Sequence, residues 1–398
     1  MGPKPVASTI VDAGAPAWAQ LGLAMLAAIF ALLIVLLRDL RAFIAQVARA
    51  EGQRERREAE ERRVGAVRAL RRHEDERPDR QKAALGFASL GCAIDALESL
   101  VRDTKWIEAG ELLERCVEVV RAAKGAPPGE GEAAANRLAA CLAPGGSLCD
   151  VPARCAMCRA ALSDLNSDAS WTLSSERDGT RVQYRRTDAA LAIKVDALVD
   201  GVRPADTLYV WRETSAYNTW FPMVTASAEL CEVSEADSIL YIEMDQWFAY
   251  NDMAMRGWGC NCLKDGYLLM VVRPVTQADV PAGVTVPPMK PIRRLLPSQR
   301  VLAEINILVE PLSASSVRFA YSLTVPLAPS SPLWLVNLVL QKGVAEIFAS
   351  MREQARKMSA NDPSSAHVRK MQTADGKRLA SWLGARIDPY VAALEGRA

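Results

Sequence analysis

Histidine is almost missing from this chain: 398 residues contain only His73 and His367. The commonest general base and metal ligand is therefore scarce. A surplus of one charge is missing too, since 48 basic and 47 acidic residues leave a formal net charge of +1. Aromatic residues make up 6% and do not alternate with basic patches, so nucleic acid is not an expected partner. Cysteines lack the dense spacing of a secreted disulfide scaffold: the nine, an odd number, run from Cys92 to Cys262, which suits a reducing cytosol. Cys141, Cys149, Cys155 and Cys158 form a loose group with one C-x-x-C. A structural zinc site needs two well-spaced pairs, so these read as small core thiols, and no metal or cofactor is expected. Cys260 and Cys262 would share a face if they lie on a strand.

Long apolar runs are also few. The one of membrane length is Ala17 to Leu37, AWAQLGLAMLAAIFALLIVLL, uncharged throughout. At about 1.5 Å per residue it matches a hydrocarbon core of about 30 Å. Only Lys4 and Asp12 are charged before it, whereas Arg38, Arg41, Arg49, Arg54, Arg56 and Arg57 follow. That asymmetry predicts a single-pass anchor with the C-terminal side in the cytosol. A cleaved signal peptide is the alternative, but it would show a basic leader and a shorter apolar stretch. Position six is Val, so no myristoyl signal is read. Residues 38–82 are thick with Arg and Glu at three- and four-residue spacing, the pattern of a charged juxtamembrane helix.

Residues 83–149 read as a helical region. Leu90, Ile94, Leu97 and Val101 stripe one helix, and Trp106, Leu112, Leu113, Cys116, Val117 and Val120 a second. A further helix is expected near Ala153 to Leu165. The pattern then changes to alternation at Arg181 to Arg185 and Leu191 to Asp196, as half-buried strands require. Pro204 opens a helical stretch that Pro222 ends. Further strands are expected over Ala226–Val233, Ser238–Trp247, Gly266–Val272, Val301–Val309 and Val317–Val325. Pro332 to Met358 carries Leu333, Val336, Leu340, Val344, Ile347 and Met351 at helical spacing. This order predicts an α+β fold.

Several of these segments, in order, resemble the START lipid-transfer domain of the helix-grip, Bet v 1-like superfamily. Ser170-Trp171-Thr172-Leu173 resembles its opening strand, and Tyr217-Asn218-Thr219-Trp220-Phe221-Pro222-Met223-Val224 its Trp-x-x-x-Val signature. Pro326 through Trp334-Leu335-Val336-Asn337 resembles its proline-rich loop and lid helix. The resemblance covers residues 150–358, with 1–16 as a short tail, 17–37 as the anchor and 359–398 as a linker and short C-terminal helix. It departs at Tyr250-Asn251-Asp252-Met253, where the family's Arg-Asp pair keeps its Asp and loses its Arg. The Pro-rich stretch Thr276 to Ile292 is either a mouth loop or a surface insertion.

The resemblance implies a curved antiparallel sheet around a long helix, with a cavity for one sterol, phospholipid or fatty acid. Trp220, Phe221, Trp247, Tyr250, Met253, Trp334, Leu340, Val344 and Phe348 are the expected ligand contacts. No catalytic residue is named, because both histidines fall outside this domain. Asp245, Asp252, Glu243 and Glu304 remain as carboxylates for the rival reading, a cyclase or hydrolase. The other rival is a lipid-responsive sensor or scaffold without transfer.

Overall fold

A computed structural model of the chain describes residues 89–122, 130–177, 179–187, 189–246, 249–289, 299–326 and 344–396. All of these belong to the compact unit Pro78–Ala398. The predicted anchor and the charged helix behind it lie outside the described residues. Within them, no helix is long and apolar enough to cross a membrane.

Four helices come first: α1 (Leu90–Arg102), α2 (Trp106–Ala122), α3 (Glu130–Leu142) and α4 (Val151–Asn166). Strands β1 (Thr172–Arg177), β2 (Thr180–Arg186) and β3 (Ala190–Asp200) lead to α5 (Pro204–Arg212). Then follow β4 (Val224–Ser234), β5 (Asp237–Gln246), β6 (Ala249–Cys262), β7 (Tyr267–Pro274), β8 (Gln299–Arg300), β9 (Glu304–Ser313) and β10 (Ser316–Pro326). The chain closes with α6 (Val344–Ser359), α7 (Ala366–Met371) and α8 (Ala374–Glu395). The sheet runs β1-β2-β3-β10-β9-β7-β6-β5-β4, antiparallel throughout, and β8 adds a short parallel pairing to β6. A large antiparallel sheet with helices laid across it is the helix-grip arrangement that the resemblance implied.

Alternation sends successive side chains to opposite faces of this sheet. The outer face carries Trp258, Cys260, Cys262, Leu269, Val271, Leu308 and Ala320, buried with Ile94, Leu97, Leu112, Leu113, Cys158 and Leu165 of the first helices. Two contacts fasten that layer. The Trp106 indole donates to the Gly259 carbonyl at 2.9 Å. The Arg154 guanidinium lies over Trp106 and Trp258, 4.5 and 5.3 Å from their rings, and pairs with Asp237. Arg256 holds the same carboxylate at 2.9 and 2.8 Å. Burial pushes the Asp237 carboxyl up, but Arg256 and Arg154 together outweigh it and hold it below its ordinary range.

The inner face packs on α5, α6, α7 and α8. Helix α8 inserts Leu379, Leu383, Ile387 and Val391, one per turn, at about 1.5 to 3 kcal/mol for each side chain removed from water. Helix α6 adds Phe348, Met351, Ala355 and Met358.

Three expectations need correcting. The tail is not one short helix: α7 and the 22-residue α8 form there, and α8 carries Pro389 within it. Strand β6 lacks steady apolar alternation, because Asn251, Gly257, Gly259 and Asn261 occupy positions on the same face as Met253 and Met255, so it escaped notice. The described part of the Pro-rich stretch is no mouth loop to the inner face. Val275 and Val286 pack with Ile239, Tyr241 and Ala254 on the outer side.

Candidate functional site

The inner face is apolar from strand to strand. Alternation places Val182 and Tyr184, then Leu191, Ile193 and Val195, then Phe319, Tyr321, Leu323 and Val325 on it, followed by Ile305, Ile307, Val272, Met253, Met255, Leu240 and Ile242. The four carboxylates of the enzyme reading, Glu243, Asp245, Asp252 and Glu304, occupy the opposite register in β5, β6 and β9. The buried ionisable strand residues Lys194, Asp237, Glu243 and Asp252 all belong to the outer set. The inner face of the described strands thus places no acid–base pair against its apolar centre.

An aromatic cluster floors this face at the end of α5. Trp211 stacks on Phe319 and Tyr321 at 5.9 and 5.5 Å and meets Trp220 edge-on at 5.8 Å. Tyr217 stacks on Phe221 at 5.8 Å and donates its hydroxyl to the Trp211 carbonyl. Burial pushes the Tyr217 and Tyr321 hydroxyls far above their ordinary range, so both stay neutral. Beside the cluster, Tyr184, Phe221, Val301, Ile305, Leu323, Val325 and Ile347 are only half-buried. Val325 stands just before residues 327–343 and Ile347 just after them. The less covered part of the inner face therefore gathers where the chain leaves β10 and returns as α6.

Trp220, Phe221, Met253 and Phe348 belong to this inner core. Tyr250 is buried but does not join them: three residues from Met253 on a strand paired without a bulge, it takes the outer face. Val344 begins α6. Trp247, Trp334 and Leu340 lie outside the described residues.

Tyr184 of β2, Ile305 of β9 and Leu323 and Val325 of β10 were not singled out from the sequence, although strand alternation carried the signal. Arg300 was missed as well. Its guanidinium grips the fully buried Asp252 carboxylate in two bonds of 2.9 and 2.8 Å and donates at 2.7 Å to the Pro287 carbonyl. The Asp that had lost its neighbouring Arg thus receives one from β8. No spacing rule predicts so distant a partner. The cysteines separate: Cys141 faces Glu98, Cys149 faces Asp150, and Cys155 packs on α2. Cys260 and Cys262 share the outer face, 3.4 Å apart, in the same buried layer as Cys158.

Strand order and faces together define a helix-grip fold with an apolar inner surface. No family model matches this chain, and no curated protein does either. Among solved structures, human STARD10 is similar at 16% identity over 50% of this chain and 78% of that one, with a TM-score of 0.42. A STAR-related lipid transfer protein from Xanthomonas axonopodis is similar at 18% identity over 47% and 99%, with a TM-score of 0.38. The Zhui aromatase/cyclase from Streptomyces sp. R1128 is similar at 12% identity over 42% and 96%, with a TM-score of 0.30. At such values the likeness assigns no residue a role.

Proposed function

We propose that this chain is a membrane-anchored, non-enzymatic lipid-binding protein that holds one hydrophobic lipid against the inner face of its sheet and moves it between membranes. The observation that carries the reading is the apolar inner face, half-covered at Tyr184, Phe221, Ile305, Leu323 and Val325, with the carboxylates turned to the other side. Each methylene removed from water gains about 0.8 kcal/mol, so an acyl chain of about 16 carbons hardly ever leaves a bilayer unaided. An apolar pocket offsets most of that loss, leaving opening of the covering segments as the barrier. The run Ala17 to Leu37 is the proposed single-pass anchor, with the folded part in the cytosol, and it holds the site near a bilayer at an effective concentration in the mM range. Transfer of a fluorescent phospholipid, sterol or fatty acid between donor and acceptor vesicles tests this. The wild type should accelerate at least one of them, and Leu323→Trp should slow it. No acceleration with any of the three lipids would reject transfer.

One feature favours a second reading, a lipid-responsive sensor: α4, joined to the other first helices in one apolar layer, packs on the backs of β7 and β9, whose inner sides offer Met270 and Ile305. Partner binding that changes with lipid, in the absence of exchange, would select it.

A further inference from the structure

A cleft of about 460 Å³ opens between the first turn of α5 and the outer row of α8. Its existence follows from side-chain size. Ala380, Gly384, Asp388 and Ala392 recur every four residues, so they share one face of α8, and three of the four are too small to fill the space. The carboxylate of the fourth bends back over the gap: Asp388 Oδ2 stands 3.1 Å from where a Cβ on Gly384 would lie.

Tyr209 of α5 contributes the buried side of the cleft. It is 1% exposed, and its hydroxyl has no hydrogen-bond partner among the described residues. Charge at the rim is one-sided. Arg203 is committed to Asp206 through bonds of 2.8 and 3.0 Å. Glu395 accepts from the Ala314 amide at 3.1 Å. Asp388 makes no ion pair among the described residues, and it lines the cleft.

We propose that this cleft is a second ligand site, separate from the inner face, for a small amphiphile that carries an ammonium group. Its apolar body lies along Ala380, Gly384 and Leu383, and its ammonium meets Asp388. The volume falls within the usual range of small-molecule sites.

Calorimetric titration of the full-length chain with decyltrimethylammonium, decyl sulfate and decyl maltoside, each below its micelle concentration, tests the assignment. Decyltrimethylammonium should saturate a site that Gly384→Leu weakens by at least about tenfold. Asp388→Asn should weaken the ammonium probe about two- to fivefold and leave decyl maltoside within about twofold, the scale of an exposed charge contact. Ala380→Leu fills the same space from the next turn, so the test survives if Gly384→Leu fails to fold. Wild-type affinity in both filling variants would overturn the proposal by assigning the binding to another place, the inner face included. Decyl sulfate binding as tightly as decyltrimethylammonium would also overturn it.

Discussion

Removing the guanidinium that β8 lends to Asp252 exposes the energetics of the outer face. In the wild type the Asp252 side chain is fully buried and accepts two bonds from Arg300 and one at 3.0 Å from the Tyr241 hydroxyl. Arg300→Met keeps most of the side-chain volume but leaves the carboxylate with Tyr241 as its one donor among the bonds described here. A buried charge deprived of its partner costs about 3 to 5 kcal/mol, far more than an exposed ion pair is worth. Loss of the bond to the Pro287 carbonyl adds about 1 kcal/mol. Urea unfolding should therefore show a deficit of about 4 to 6 kcal/mol. Asp252→Leu in the same background removes the stranded charge and should restore at least about 2 kcal/mol, because a buried ion pair replaced by apolar groups is often neutral. Arg300→Met costing under about 1 kcal/mol, or a double variant no more stable than the single one, would refute the reasoning.

Three other outcomes follow from the packing. His367 is fully buried against Tyr209 and Trp220, and burial pushes its pKa down to about 4, against a smaller opposing pull from the Val210 carbonyl. Above the unfolded value of 6.5 both states are neutral; as pH falls from there towards 4 the unfolded chain binds the extra proton, so the fold loses up to about 3 kcal/mol. His367→Leu should flatten the wild type's stability loss in that window, and an unchanged slope would count against the assignment. Gly110 of α2 lies so close to α4 that a Cβ would stand 2.7 Å from Cys155 Cβ and nearer still to its sulfur. Gly110→Ala should accordingly destabilise by about 1 to 3 kcal/mol despite alanine's better helix propensity, and thermal melts showing a gain would contradict that packing. Ile305→Trp, placed in the half-buried part of the inner face, should fold normally by circular dichroism and slow lipid exchange at least severalfold. An undiminished exchange rate would move the site elsewhere.

Much of the architecture was readable because strands with one dry face write their burial into alternation, as Leu191 to Asp196 and Val317 to Val325 do. Strand β6 was harder: it spends inward positions on Asn251, Gly257, Gly259 and Asn261, which break the apolar alternation. The candidate site was legible in part. Trp220, Phe221, Met253 and Phe348 were named from bulk and resemblance, and the structure places them in the inner core. Tyr250 was placed with Met253 because, without the observed strand, nothing revealed that an odd separation sets them on opposite faces. Arg300 lies 48 residues beyond Asp252, and such long-range pairing leaves no local trace. Packing of the first four helices on the outer face was equally invisible, since an amphipathic stripe shows that a face is covered without saying by what.

The most direct measurement is the lipid bound per chain. Full-length wild type and Ile305→Trp, purified identically, would be extracted and their lipids quantified by mass spectrometry, so that annular lipid at the proposed anchor is common to both. The account predicts about one molecule of a single lipid class in the wild type beyond what the variant carries. Identical lipid content in the two proteins would contradict it.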